Sequence, residues 1–310
     1  MKRLDANLYP GWTRKAVSFT IDDGNLAMDE KFLTIVKPAG VIGTFNLCTP
    51  LKKGVSAEEY RRFYHGYEIA NHCHRHPFPF AENRQPQISD VLFDETTADP
   101  TLAYRTEEDG FYRIHTRNWN YFVATDDKYM EFVDRCTAEL ETVFGSGAVK
   151  DFVWPFGEQK NPALMQRLIN HGFRSIRATG DIRDKTGFAL PADRMHWSYN
   201  AHHKNLLEVA KLYEAYPDDG NLKFFCFGVH SIDFERDGKW DELKEFCAKY
   251  GNRPEDYWYA PVGDIFDYED AVKALIVTDT AVCNPSDVDL FVKIDSVRKC
   301  LRAHSELSLL

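Results

Sequence analysis

The feature that most constrains this chain is an alternation of short apolar runs with amphipathic ones, repeated about seven times between residues 15 and 275. "KAVSFTI" (15–21) and "VIGTFNL" (41–47) read as strands, and "YEIAN" (67–71) as a third. Between them, "MDEKFLTIVKPAG" is a helix stopped by Pro38 and Gly40, and "SAEEYRRFYHG" opens on a capping-box pattern, Ser56 with Glu59. After residue 128 the rhythm resumes with a helix carrying Tyr129, Phe132, Val133, Cys136, Leu140 and Phe144 at helical spacing. Strands "VKDFVWPFG", "FRSIRAT", "LKFFCFGVH" and "DYWYAP" then alternate with four more helices. Such a chain predicts parallel strands joined by right-handed crossovers, either a closed barrel or a doubly wound open sheet. No glycine-rich phosphate loop follows the first strand, which argues against a dinucleotide-binding sheet.

Chemically competent residues sit where these strands end. "SFTIDDG" (18–24) closes the first strand on Asp22 and Asp23, "HCHRHP" (72–77) follows the third, and His230 ends a late strand. In a βα barrel all of these meet at the C-terminal face, where loops build the site. Two adjacent carboxylates at the end of a buried strand need a positive partner. Histidines joined by a carboxylate can hold a divalent metal and leave positions open for water and substrate. The metal is then the positive partner, one aspartate ligates it, and the other works beside it. Along an extended strand successive side chains point to opposite sides, so the two acids cannot be equivalent. Pro77 biases His76 away from helical backbone, which places it in a loop leaving the strand. No cysteine pair at ligand spacing accompanies the histidines, so a zinc finger is excluded.

The formal charge of −10, with no offsetting basic run, argues against nucleic-acid or anionic-membrane partners. Apolar runs are too short to span a bilayer, and "MKRLDANLYPGW" lacks a secretory signal's apolar stretch. Seven cysteines, an odd number without framework spacing, read as reduced thiols and favour the cytoplasm, with secretion left open.

Taken together, "FTIDDG", "YEIANHCHRHP", "VWPFG" and "FGVHS" resemble, in order and spacing, the successive motifs of the polysaccharide deacetylase (NodB-homology) family of carbohydrate esterases. The resemblance implies an irregular (β/α)7 barrel over residues 1–275, one divalent transition metal, commonly zinc, and hydrolysis of N- or O-acetyl groups on a carbohydrate. Position by position, it implies Asp23, His72 and His76 as metal ligands, Asp22 as general base and His230 as general acid. Trp154, Pro155 and Phe156 would line the substrate pocket. Residues 78–127, polar with scattered rings such as Tyr112, Trp119 and Tyr121, form an insertion expected to wall the cleft, or else to pack on the barrel flank. Residues 276–310 are expected to form a short strand-rich extension.

The chain departs from the family pattern at Val153, where an arginine that partners the base is usual. Arg177, on the next strand, stands either as its substitute or in an ordinary ion pair. "DIRDK" (181–185) matches a further motif's spacing or is a solvated turn, and "WSYNAHH" (197–203) is a polar cluster ahead of a helix. Two other functions share these residues: hydrolysis of a small cyclic amide or ureide on the same scaffold, and non-catalytic carbohydrate binding. A binder needs neither a base nor an acid, so the presence of both Asp22 and His230 argues against the latter.

Overall fold

A computed structural model describes residues 3–80, 104–115, 120–157, 161–178 and 187–310. Trp119, the "DIRDK" segment and much of the 78–127 insertion lie outside these. Seven parallel strands form the main sheet: β1 (Lys15–Asp23), β2 (Thr44–Thr49), β3 (Glu68–His74), β4 (Asp151–Val153), β5 (Ser175–Arg177), β6 (Lys223–His230) and β7 (Tyr257–Tyr259). Their order is β5-β4-β3-β2-β1-β6. Strand β7 pairs with the first half of β1, at residues 15–17, while β2 takes over from Thr20 onward.

The gap between β5 and β6 is closed by an irregular stretch, residues 197–201. Ala178 N–H donates to the Trp197 carbonyl (2.8 Å), and the N–H groups of Asn200 and Gly228 bond across to Cys226 and Ala201 (2.8 and 2.9 Å). The chain thus curls into a distorted (β/α)7 barrel, and the polar "WSYNAHH" cluster supplies one of its staves.

Helices α1 (Leu26–Val36), α2 (Ala57–Phe63), α3 (Asp126–Phe144), α4 (Pro162–His171), α5 (Leu206–Ala215), α6 (Ser231–Arg236), α7 (Trp240–Tyr250) and α8 (Val262–Lys273) connect the strands. Their starts follow the expected chemistry. The Asn25 side chain caps α1 by accepting from Met28 N–H, and the Ser56–Glu59 capping box forms as read from sequence. Strand β1 is buried from Ala16 to Asp22 because helices cover one side and the barrel interior the other. Phe19 meets Phe32 and Phe45 edge to face, and Phe227 packs against it at a tilt, in the largest core.

The described part of the insertion is a four-stranded sheet built from residues 78–80, 104–108, 111–115 and 120–125. Among the described residues, no helix is long and apolar enough to cross a membrane. The C-terminal residues contribute to two small three-stranded sheets. Residues 290–294 pair with 297–301 on one side and with Leu4–Asp5 on the other, while 276–277, 281–284 and 305–308 form a second three-stranded sheet.

Candidate metal and acid–base site

The ladder between β2 and β3 slips one residue, from Leu47↔Asn71 to Thr49↔His74, and Cys73 inside the slip has φ +65°. This bulge breaks the alternation of the three histidines. His74 turns away from the site: its Nδ1 lies 2.7 Å from Thr49 Oγ1 and its ring packs on Phe132. Burial, with Arg135 and Arg75 nearby, pushes its imidazole down to about 4.

His72 and His76 converge instead. Their Nε2 atoms are 3.2 Å apart, and each lies close to Asp23 Oδ1, at 3.4 and 3.5 Å. A tetrahedral ion with ligands at about 2.0–2.1 Å spaces its donors by about 3.3–3.4 Å, so the three atoms already sit like one face of a coordination tetrahedron. His72 Nδ1–H donates to the Val153 carbonyl (2.9 Å), which fixes the tautomer and turns the Nε2 lone pair inward. Asp23 (φ +77°) and His76 (φ +48°) both occupy left-handed backbone, rare for residues with side chains and typical of functional sites. The Cys48 thiol also lies within 4.8 Å of these donors, and donates to the His72 carbonyl at 3.1 Å.

Asp22 faces a different environment. Its Oδ1 accepts from the Arg177 guanidinium and from Asn46 Nδ2 (2.7 Å). Among the described residues, Oδ2 makes no hydrogen bond. Burial alone would raise this carboxyl's pKa, but Arg177, then His72 and His230, outweigh it and hold it below its usual range. Arg177 reaches Asp22 from the strand beside Val153, whose register partner it is. It is fully buried and lies 5.3 Å from the centre of the Tyr199 ring. Tyr199 comes that close because Gly228 faces it; a Cβ there would stand 2.0 Å from the ring.

His230 is the register partner of Asp22 on β6. Its Nδ1 bonds Asp233 Oδ2 (2.9 Å), and its Nε2 lies 3.8 Å from Asp23 Oδ2. Burial opposes its charge, but Asp233 foremost, with Asp23 and Asp22, holds the imidazolium up to about 9. Sequence reasoning missed Asp233. Its signal was the carboxylate three residues after the histidine, where it also receives the His230 N–H in a helix-start position.

Asp22, His72, Trp154, Phe156, Tyr199 and His230 line a cleft of about 580 Å³. Pro155 is buried and does not line it. Phe156 (φ +59°) stands 4.3 Å from the His76 ring and stacks at 3.6 Å on Phe78 of the insertion sheet, with Tyr121 at 6.4 Å. The insertion therefore reaches the rim of the site through Phe78.

Residues 11–176, more than half of the chain, match the family described as polysaccharide deacetylase. The chain belongs to this family. Solved structures similar to it include a carbohydrate esterase of family 4 from Streptococcus mutans, 15% identical, covering 81% of this chain and 87% of that one (TM-score 0.44). A chitin deacetylase from Colletotrichum lindemuthianum is 14% identical, over 84% and 89% of the two chains (TM-score 0.44). The polysaccharide deacetylase Bc1974 from Bacillus cereus is 13% identical, over 80% and 92% (TM-score 0.43). No curated protein matches.

Proposed function

We propose that this polysaccharide deacetylase family member is a metal-dependent hydrolase that removes N- or O-acetyl groups from a carbohydrate. The observation that carries the reading is the meeting, at one cleft, of three metal-spaced donors, a buried carboxylate and a carboxylate-backed histidine. Two imidazoles and one carboxylate suit zinc, with cobalt, nickel or iron as alternatives. Bound by Asp23, His72 and His76, the metal would polarise the acetyl carbonyl and acidify a water.

The chain's own residues supply the rest. Asp22 accepts the proton of the attacking water on Oδ2, while Arg177 and Asn46 hold Oδ1 still. His230, charged through Asp233, gives its Nε2 proton to the leaving nitrogen or oxygen as that bond to the acetyl carbon breaks. The water oxygen ends on the acetate, and the sugar leaves as the free amine or alcohol. The half-buried ring of Phe156, which lines the cleft, offers an apolar surface for a sugar.

The test compares Asp22→Asn with Asp23→Asn for metal per chain and acetate released from acetylated sugars. Asp22→Asn should keep its metal and lose turnover by about 10²–10⁴, the usual worth of a general base. Asp23→Asn should bind metal weakly and recover part of its activity in excess metal. Metal lost from the first variant and kept by the second would reverse the two roles. A wild-type chain that binds metal but releases no acetate would sink the deacetylase reading.

A further inference from the structure

Beneath the site lies a carboxylate that the reaction scheme above does not use. Asp29, on α1, is completely buried. Its Oδ1 accepts from Ser231 Oγ (2.6 Å) and its Oδ2 from Tyr64 OH (2.7 Å). Ser231 directly follows His230 and begins α6, whose first turn carries Asp233, the partner of the His230 ring. Tyr64 OH lies 3.8 Å from where a Cβ on Gly24 would stand, so it underlies the turn that carries Asp22 and Asp23. One carboxylate thus ties the end of β1, through α1, to the end of β6.

We propose that Asp29 is a positioning residue that sets His230, through Ser231, at the height where its proton reaches the leaving group. Two features favour this over a merely structural bond. The tie attaches at the residue adjoining the acid, and it is anchored on the helix that follows the base and the metal-ligating aspartate. Asp22 and His230 are register partners, so the strand ladder fixes their backbones, and a small tilt of α6 acts on the His230 ring through Ser231 and Asp233. A misplacement of about 1 Å can cost about 10²-fold in rate. The proposal rests on the reading of His230 as the acid.

General acid catalysis matters for a poor leaving group and hardly at all for a good one, and this supplies the test. Wild type, Asp29→Ala, Asp29→Asn and Ser231→Ala are assayed on an N-acetylated amino-sugar oligomer and on 4-nitrophenyl acetate, whose phenolate leaves without a proton. Metal per chain is measured alongside. Asp29→Ala and Ser231→Ala should lose about 10- to 10²-fold in kcat on the sugar, with KM little changed and metal retained. On the aryl ester they should stay within about threefold of wild type. Asp29→Asn can still bond both hydroxyl groups with one polarity reversed, and should recover most of the loss. Tyr64→Phe, which leaves the Ser231 bond intact, should show no such selectivity. Should Asp29→Ala fail to fold, Ser231→Ala and Asp29→Asn decide the matter. Equal losses on both substrates, or none on the sugar, overturn the positioning role while leaving the deacetylase reading in place. A wild-type enzyme active on the aryl ester and inert on every acetylated sugar overturns that reading, and the inference with it.

Discussion

At the scale of single residues, the pair Asp22–Arg177 decides most. Both groups are buried, and each is an expensive charge without the other. Arg177→Met should therefore destabilise the fold by about 3–5 kcal/mol, because Asp22 is left buried and unpaired. Adding Asp22→Asn to that variant should restore more than half of the loss, since the remaining amide can bond Asn46 without a counter-charge. Urea unfolding of the single and double variants at fixed metal concentration checks this; strictly additive losses would mean that the pair is not coupled. The sequence itself displays both residues but not their contact. Val153 occupies the expected arginine position, and only the parallel register that sets Val153 beside Arg177 shows that the guanidinium arrives from the neighbouring strand. Asp23, His72 and His76, whose donors converge, could be singled out as candidates because their chemistry is unusual at strand ends. His74, equally conspicuous in sequence, is excluded from the site by a bulge that no local pattern announces.

At the scale of elements, Asp29 joins three helices: its own α1, the end of α2 through Tyr64, and the start of α6 through Ser231. Burial raises its carboxyl to about 6, against the lowering effect of the two hydroxyl donors. A carboxyl with a raised pKa in the fold favours the folded state most below its unfolded value, about 4. As pH rises from about 4 to about 6 the unfolded chain ionises first, and that advantage is lost. Relative to Asp29→Asn, which does not titrate, wild type should thus lose about 2–3 kcal/mol of stability across this window and none above it. Unfolding curves of both proteins at pH 4, 5, 6 and 7 measure the difference; a flat or rising difference would mean that Asp29 is ionised throughout. Helix starts such as the Ser56–Glu59 box were readable because capping is local chemistry. The stave at 197–201 was not, because it joins the sheet only through isolated bridges and bonds to Ala178 and Cys226, and its own polar sequence resembles a loop. The insertion hid its sheet for the same reason: Phe78, Phe80, Ile114 and Val123 make a small core of their own, too dispersed in sequence to show a period.

At the scale of the whole molecule, the barrel and the C-terminal strands share one core. The second apolar cluster joins Tyr9, Ala16, Trp197, Phe224, Ile265 and Phe266 to Val282, Leu290, Val292, Ile294, Leu301 and Leu309. Polar bonds cross the same boundary. Tyr268 OH donates to the Leu8 carbonyl (2.6 Å) and accepts from Phe291 N–H (2.9 Å), and Trp12 Nε1 donates to the Val292 carbonyl (3.2 Å). The sequence suggested a division near residue 275 because strand–helix alternation stops there, but alternation reports connectivity and not which surfaces meet. Removing residues 276–310 would expose the rings of Tyr9, Trp12 and Tyr268 and leave Leu4–Asp5 without its partner strand. At about 1.5–3 kcal/mol for each large apolar side chain uncovered, three such rings cost about 5–9 kcal/mol, a large share of a domain's usual margin of about 5–15 kcal/mol. A chain ended after Leu275 should therefore unfold at a much lower temperature than wild type, or aggregate, although every residue of the candidate metal and acid–base site is kept. Differential scanning calorimetry of the two chains, with metal binding measured on whatever remains soluble, makes the comparison. A shortened chain that melts within a few degrees of wild type would show that the barrel needs no cover from its C-terminal strands, and the shared core would then be a docking surface between two independently stable parts.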